Sequence, residues 1–213
     1  MKIYRLVFNP IEVNTYILAD ESNECAIIDC GCYNRSEFNE LTDLLDKNSL
    51  KPVLLLNTHC HLDHIFGDGL MLEKYGIGAM CSKEDIFNRK SAVSHAMMFG
   101  LSMEPPPDPA GYITDNMKLS FGNTELTAIN VPGHSPGCLA FYSEKDQVVF
   151  TGDALFAGSI GRTDLPGGNY ELIINSIESR LFILPAGTVV YPGHGDATDI
   201  GTEKFSNPFF KHI

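Results

Sequence analysis

No stretch of this chain approaches the ~20 uninterrupted apolar residues that a membrane-spanning helix needs. The N-terminal run Met1-Lys2-Ile3-Tyr4-Arg5 carries a little charge, but Asn9-Pro10 and Glu12 interrupt any apolar signal region. The sequence therefore reads as cytoplasmic, with no membrane partner. Basic clusters are missing as well. The formal charge is −12, and nucleic-acid affinity comes largely from Lys and Arg neutralising phosphates, so the reading is of a protein with no nucleic-acid partner. Disulfide-type spacing is also lacking. Six cysteines (Cys25, Cys30, Cys32, Cys60, Cys81 and Cys138) are spread over 213 residues, and the 44% apolar content gives a core that needs no covalent staples. They read as reduced thiols. Cys30-Gly31-Cys32 is too tight for a zinc ribbon, lacks a second pair and departs from the usual C-x-x-C redox spacing. No repeat at a fixed period and no low-complexity tract appears, and the chain reads as one domain over 1–213.

What the chain does have is histidine in a pattern. Five of its seven histidines fall in ligand-like contexts. Four of the candidate ligands lie in Thr58-His59-Cys60-His61-Leu62-Asp63-His64, directly after the apolar run Val53-Leu54-Leu55-Leu56. Three more segments supply one each: Pro132-Gly133-His134, Gly152-Asp153 and Pro192-Gly193-His194. Neutral imidazoles and carboxylates suit borderline divalent ions, with zinc first and iron or manganese as the alternatives. Two such ions would add about +4, so part of the acidity balances metal.

The pattern of residues places these ligands at strand ends. Residues 2–8, 13–19 and 24–29 read as strands. Asn34-Arg35-Ser36-Glu37 looks like a capping box opening a helix that turns Phe38, Leu41, Leu44 and Leu45 to one face. Pro52 stops that segment, and 53–56 reads as a strand buried on both faces. A helix is expected around 68–75, a strand over 77–81 and a helix from Ser82. The Pro-rich segment 99–111 cannot continue a helix and reads as an active-site flap. Strands are expected near 117–121 and 124–131 around a Gly122-Asn123 turn, then near 138–143 and 147–151. A helix over 170–181 carries Leu172, Ile173, Ile177 and Leu181 on one stripe, and Thr188–Tyr191 is the last strand. Strands 53–57, 124–131, 147–151 and 188–191 thus end at His59, His134, Asp153 and His194. Layered α/β folds collect distant residues on one rim in this way.

H-x-H-x-D-H followed by a distant His, Asp and His resembles the metallo-β-lactamase superfamily. The likeness runs from Asn14-Thr15-Tyr16 and Ile27-Ile28-Asp29 to Glu203-Lys204 and Asn207-Pro208-Phe209. Pro132-Gly133-His134-Ser135-Pro136-Gly137 and Gly158-Ser159-Ile160-Gly161-Arg162-Thr163-Asp164 are similar to single-domain glyoxalase II-like (hydroxyacylglutathione hydrolase-like) enzymes. The resemblance implies a four-layer αββα sandwich with metals at the edge of its two sheets. It implies His59, His61 and His134 on a first ion, Asp63, His64 and His194 on a second, and Asp153 bridging them. It further implies a dinuclear metal-dependent hydrolase of small thioesters or esters, using a metal-bridging hydroxide that Asp63 also orients. A thiolate leaving group, with a free pKa of about 8.5, makes a separate general acid dispensable. Glutathione-specific members carry a C-terminal helical domain and pair a basic residue with a Tyr two positions later. This chain ends about 19 residues after His194 and has Arg162 followed by Asp164. Arg162 is thus either the substrate-binding residue for an anionic group or the partner of Asp164.

The same residues admit other readings. Persulfide dioxygenases resemble the chain at Gly161-Arg162-Thr163-Asp164 and Pro136-Gly137-Cys138 and use a single iron held by two His and one Asp. A β-lactamase or lactonase fits the 158–168 segment less well, and an RNA-processing nuclease is opposed by the acidity. Cys60 lies between two ligands but faces away from them in an extended segment, so it is not taken as a nucleophile. His95 and His212 stand outside the ligand spacing. Asp29, at a strand end, is placed to support the ligand loop, and Met97, Met98, Phe99 and Met103 are expected to roof a pocket. A homodimer is compatible with all of this.

Overall fold

The computed structural model describes residues 1–210, so His212 lies outside the described residues. The chain divides into two compact units, Met1–Ile113 with Ser120–Glu125, and Thr114–Leu119 with Leu126–Ile213.

The first unit is built on a six-stranded sheet in simple sequential order: β1 (Lys2–Phe8), β2 (Val13–Ala19), β3 (Glu24–Ile28), β4 (Lys51–Leu56), β5 (Ala79–Ser82) and β6 (Gly111–Ile113). β1 to β3 form an antiparallel meander, and β3 to β6 run parallel. Parallel neighbours need crossovers. α1 (Arg35–Lys47) supplies the first, α2 (Leu62–Ile65) and α3 (Asp68–Tyr75) the second, and α4 (Ile86–Met98) the third. Asn34 caps α1, its side chain accepting the Glu37 N–H at 3.0 Å. The reciprocal half of the expected capping box is re-aimed. Glu37 Oε2 accepts from the main-chain N–H groups of Tyr33 (2.7 Å) and Asn9 (3.2 Å), tying the helix start to the β1–β2 turn. Phe38, Leu41 and Leu45 then pack on Ile17, Ile27 and Leu55.

Pro52, expected only to end the preceding helix, lies within β4. It sits where the β3–β4 register slips, so its missing N–H falls at an irregularity rather than in a regular ladder. The Pro-rich segment has no regular structure until Gly111 enters β6. It is held by Arg89, whose Nε and Nη2 donate to the Pro107 carbonyl at 2.9 and 2.8 Å. The same guanidinium donates from Nη1 to the buried Asp68 at 2.8 Å, a carboxyl that burial pushes up to about 6.

One side-chain expectation is not met. Met97, Met98 and Phe99 do not roof a pocket. They stand 72%, 82% and 56% exposed where α4 ends and Gly100, at φ +71°, turns the chain. Met103 alone packs inward, against Leu62, Ile65, Ala92 and Ala96.

The second unit holds the other mixed sheet, in order β14-β13-β10-β9-β8-β7: β7 (Lys118–Phe121), β8 (Thr124–Asn130), β9 (Leu139–Ser143), β10 (Val148–Gly152), β13 (Val189–Pro192) and β14 (Thr198–Asp199). β10 and β13 are parallel, which brings the ends of both strands to the same side of the sheet. α5 (Tyr170–Ser176) makes the crossover and continues as one π-helical turn over Ile177–Leu181. Ile173, Ile177 and Leu181 face Val149 and Val190 as the periodicity requires, whereas Leu172 is turned outward. A short hairpin, β11 (Leu155–Phe156) with β12 (Ser159–Ile160), and α6 (Ile200–Ser206) complete the unit. Sequence periodicity predicts none of these. The hairpin strands have two residues each, too few for a periodicity, but Asp199 is a legible N-cap that accepts from Thr202 N–H at 2.8 Å. The α/β class is therefore as expected: mixed sheets flanked by helices, with candidate metal ligands at strand ends.

Leu41→Ala removes a fully buried side chain of the α1 contact. It should lower stability by about 2–5 kcal/mol, read as a drop in the urea midpoint with an unchanged slope.

Candidate metal centre

In the first unit β4 ends at Leu56, and the segment after it carries His59, His61, Asp63 and His64 into α2. This segment is held from several directions. Asp29 adopts a left-handed backbone (φ +53°), rare outside glycine but least costly for Asp and Asn. Its N–H donates to the Leu56 carbonyl at 2.9 Å and its carbonyl accepts from Thr15 Oγ1 at 2.6 Å. The carboxylate then accepts three bonds: Thr58 N–H at 2.7 Å, Thr58 Oγ1 at 2.6 Å and His64 Nδ1 at 2.9 Å. The expected support by Asp29 is present, with Thr58 as its main partner. Two further anchors had no signal in the sequence. Asp85 Oδ2 accepts the Cys60 N–H at 2.6 Å, and Asn9 Nδ2 donates to the main-chain carbonyls of Asp63 and Gly31, both at 3.0 Å.

These bonds fix the tautomers. Thr58 Oγ1 has one hydrogen and gives it to Asp29, so His59 Nδ1, 3.1 Å away, must donate to it. His64 Nδ1 donates to a carboxylate. In both rings the lone pair is then on Nε2, the arrangement metal-binding histidines adopt. His59 Nε2 lies 3.1 Å from His61 Nδ1, and His64 Nε2 lies 3.4 Å from Asp63 Oδ2. Arms of 2.0–2.1 Å at a tetrahedral ion put two donor atoms about 3.3 Å apart. The spacing is that of atoms sharing an ion.

The second unit is arranged by the same logic with main-chain groups. His134 follows β8, Asp153 follows β10 and His194 follows β13. His134 Nδ1 donates to the Arg162 carbonyl at 2.8 Å, which again leaves the lone pair on Nε2. Asp153 Oδ2 stands 3.6 Å from His134 Nε2 and 3.6 Å from His194 Nε2, placed equally toward both. Glycine is needed twice. A Cβ on Gly161 would lie 1.8 Å from the Asp153 carbonyl oxygen, and one on Gly133 (φ +136°) would lie 2.3 Å from the Ile173 nitrogen.

The possible ligands fall in two sets, one in each unit: His59, His61, Asp63 and His64 in the first, and His134, Asp153 and His194 in the second. All seven expected ligands are in these sets, and Arg162 is not. Its Nε and Nη2 donate to the two carboxylate oxygens of Asp164 at 2.7 and 2.8 Å, both side chains being exposed. The Arg162 bond holds the Asp164 carboxyl at about 2. Cys60 is fully buried, and its thiol, hydrogen-bonded to Cys81 and desolvated, is pushed well above the usual thiol range. A protonated, buried thiol is no nucleophile. His95, partly exposed on α4, belongs to none of the ligand sets.

Buried imidazoles and carboxylates of this kind and number suit a dinuclear centre of divalent ions, the equipment of a metal-dependent hydrolase. Comparison with known proteins gives the family. The chain belongs to the Metallo-beta-lactamase superfamily, whose pattern matches residues 9–194. It is 35% identical to the hydroxyacylglutathione hydrolase GloC of Haemophilus influenzae over 98% of each chain. Among solved structures it is similar to the B3 metallo-beta-lactamase BLEG-1, with a TM-score of 0.89 at 30% identity over 99% of this chain and 100% of the other. It is also similar to TTHA1623 in a di-iron-bound form, with a TM-score of 0.88 at 33% identity over 97% of this chain and 99% of the other. Among the described residues no helix is long and apolar enough to cross a membrane.

Asp29→Asn keeps the volume but removes the charge that binds Thr58 and His64. Metal affinity should fall about 10- to 100-fold, measured by competition with a chromogenic zinc chelator.

Proposed function

We propose that this protein is a glyoxalase II-like hydrolase of small thioesters and esters, working in the cytoplasm on small molecules. His59, His61 and His134 would hold one ion and Asp63, His64 and His194 the other, with Asp153 available to both. Zinc is the first choice of metal, with iron the alternative that the di-iron relative supports and manganese a third. The observation that carries this reading is the fixing of one ring nitrogen in His59, His64 and His134, by Thr58, Asp29 and the Arg162 carbonyl, so that each presents the other to a cation. The 35% identity to a hydroxyacylglutathione hydrolase over nearly the whole chain supports the thioester class.

Two bound divalent ions supply a water deprotonated near neutral pH and an electrophile for the substrate carbonyl. The chain's own residues do the rest. Asp63, held through its carbonyl by Asn9, orients the attacking water. Asp29 and Thr58 keep the imidazoles from rotating. Arg162 stands beside His134 as the substrate-binding residue. Residues 1–213 act as one catalytic domain, with 99–111 as its flap.

Metal-replete protein should contain two ions per chain by elemental analysis, and Asp153→Ala should lower the occupancy of both. One fully occupied ion with the second set of ligands empty, together with oxygen uptake on glutathione persulfide, would instead establish a mononuclear dioxygenase.

The reaction itself is tested by hydrolysis of S-lactoylglutathione and of simpler thioesters. His59→Ala and His64→Ala should abolish it, because each removes a ligand, whereas Cys60→Ala should keep most of it. Equal loss in Cys60→Ala and His59→Ala would sink the solvent-nucleophile mechanism.

A further inference from the structure

Asn9 stands 54 residues before Asp63 yet is bonded to it. It lies in the β1–β2 turn with a left-handed backbone (φ +58°) and is largely buried. Each of its polar groups is engaged. The N–H donates to Glu37 Oε2 at 3.2 Å, the carbonyl accepts from Glu12 N–H at 3.0 Å, and Oδ1 accepts from Ile11 N–H at 2.9 Å. The side-chain amide gives its two hydrogens to two main-chain carbonyls, those of Gly31 and Asp63, both at 3.0 Å. Gly31 makes room for this junction. A Cβ there would lie 2.9 Å from the Asp63 carbonyl oxygen and 3.0 Å from Asn9 Nδ2. One amide thus joins the β1–β2 turn, the segment after β3 and the start of α2.

We infer that Asn9 is a positioning residue for Asp63, an inference that rests on the metal and water roles just given to Asp63. Its amide holds the Asp63 main chain, and the main chain aims the carboxylate. Asp29 supports the same segment at Thr58 and His64, so the two supports serve different ligands. Loss of the Asn9 amide therefore weakens the ion assigned to Asp63 and slows the attack of water. The ion assigned to His59 and His61, and the binding of substrate, are left as they were.

Asn9→Asp is the discriminating substitution. It keeps the volume, the oxygen that accepts from Ile11 and a residue type that tolerates a left-handed backbone, but it loses both N–H donors. Asn9→Gly also keeps the turn and removes the amide without adding a charge. Zinc affinity is read by chelator competition on protein whose circular dichroism matches the wild type. Each variant should bind one ion about 10- to 100-fold more weakly and the other as the wild type does. In Asp63→Ala, where no carboxylate is left to aim, adding Asn9→Asp should not lower the affinity that remains. Wild-type affinity for both ions, equal losses at both, a further loss in the Asp63→Ala background, or failure of both variants to fold overturns the inference.

Kinetics give a second readout. With both sites saturated by zinc, hydrolysis of S-lactoylglutathione by either variant should show kcat lowered about 10- to 100-fold with KM unchanged, the signature of an interaction that serves the chemical step. An unchanged kcat, whatever the KM, overturns the inference. Absence of any thioester or ester hydrolysis by metal-loaded wild type overturns the proposed function instead, and the zinc measurements still decide the role of Asn9.

Discussion

The Asp29 carboxylate is the interaction on which the first half of the metal centre depends. It is buried, it lies at the end of β3 in a left-handed backbone, and it accepts three hydrogen bonds from the segment that follows β4. A buried carboxylate without partners is costly. With these partners it fixes the start of the ligand segment through Thr58 and the ring of its last member through His64. The strain of the φ +53° backbone, of order 1–3 kcal/mol, is offset by the bonds that its own N–H and carbonyl make to Leu56 and Thr15. One residue thus couples β2, β3 and β4 to the chemistry.

The second unit solves the same problem without a carboxylate. The Arg162 main-chain carbonyl orients His134, and the hairpin that leads to it is held by a buried glutamate. Glu203 Oε2 accepts from Gly158 N–H at 2.9 Å and from Asn207 Nδ2 at 2.7 Å, so the C-terminal helix α6 fixes the turn three residues ahead of Gly161. Asn207 Nδ2 also donates to the Ser159 carbonyl at 3.1 Å. Glu203 and Asn207, neither a candidate ligand, thus act through the backbone of 158–159, whereas Lys204 donates to the Phe182 carbonyl at 3.1 Å.

Electrostatics link fold and function. The ligand segments bring Asp63 and Asp153 into largely buried positions beside imidazoles. Desolvated carboxylates gain most from a cation, so metal binding contributes to folding stability as well as to catalysis. The overall charge of −12 acts in the same sense, favouring cation uptake and opposing association with polyanions.

Much of this was legible in the sequence because ligand identity and spacing are local properties. H-x-H-x-D-H after an apolar run, and three Gly-flanked residues after three further runs, named seven candidate donors and the strands that carry them. The regular elements were legible where periodicity extends over several turns, as in α1 and the Ile173, Ile177, Leu181 stripe. Periodicity could not reveal β11, β12 and β14, with two residues each, nor that α4 ends in solvent at Met97 and Met98 instead of under a roof. The tertiary structure alone decided the partners that lie far apart in sequence: Asp85 on Cys60, Asn9 on Asp63, and the Arg162 carbonyl on His134. Sequence left Arg162 divided between a substrate and Asp164, because two residues two apart in a loop can face together or apart according to backbone angles that no composition encodes. The fold set those angles, and with them the bidentate pair.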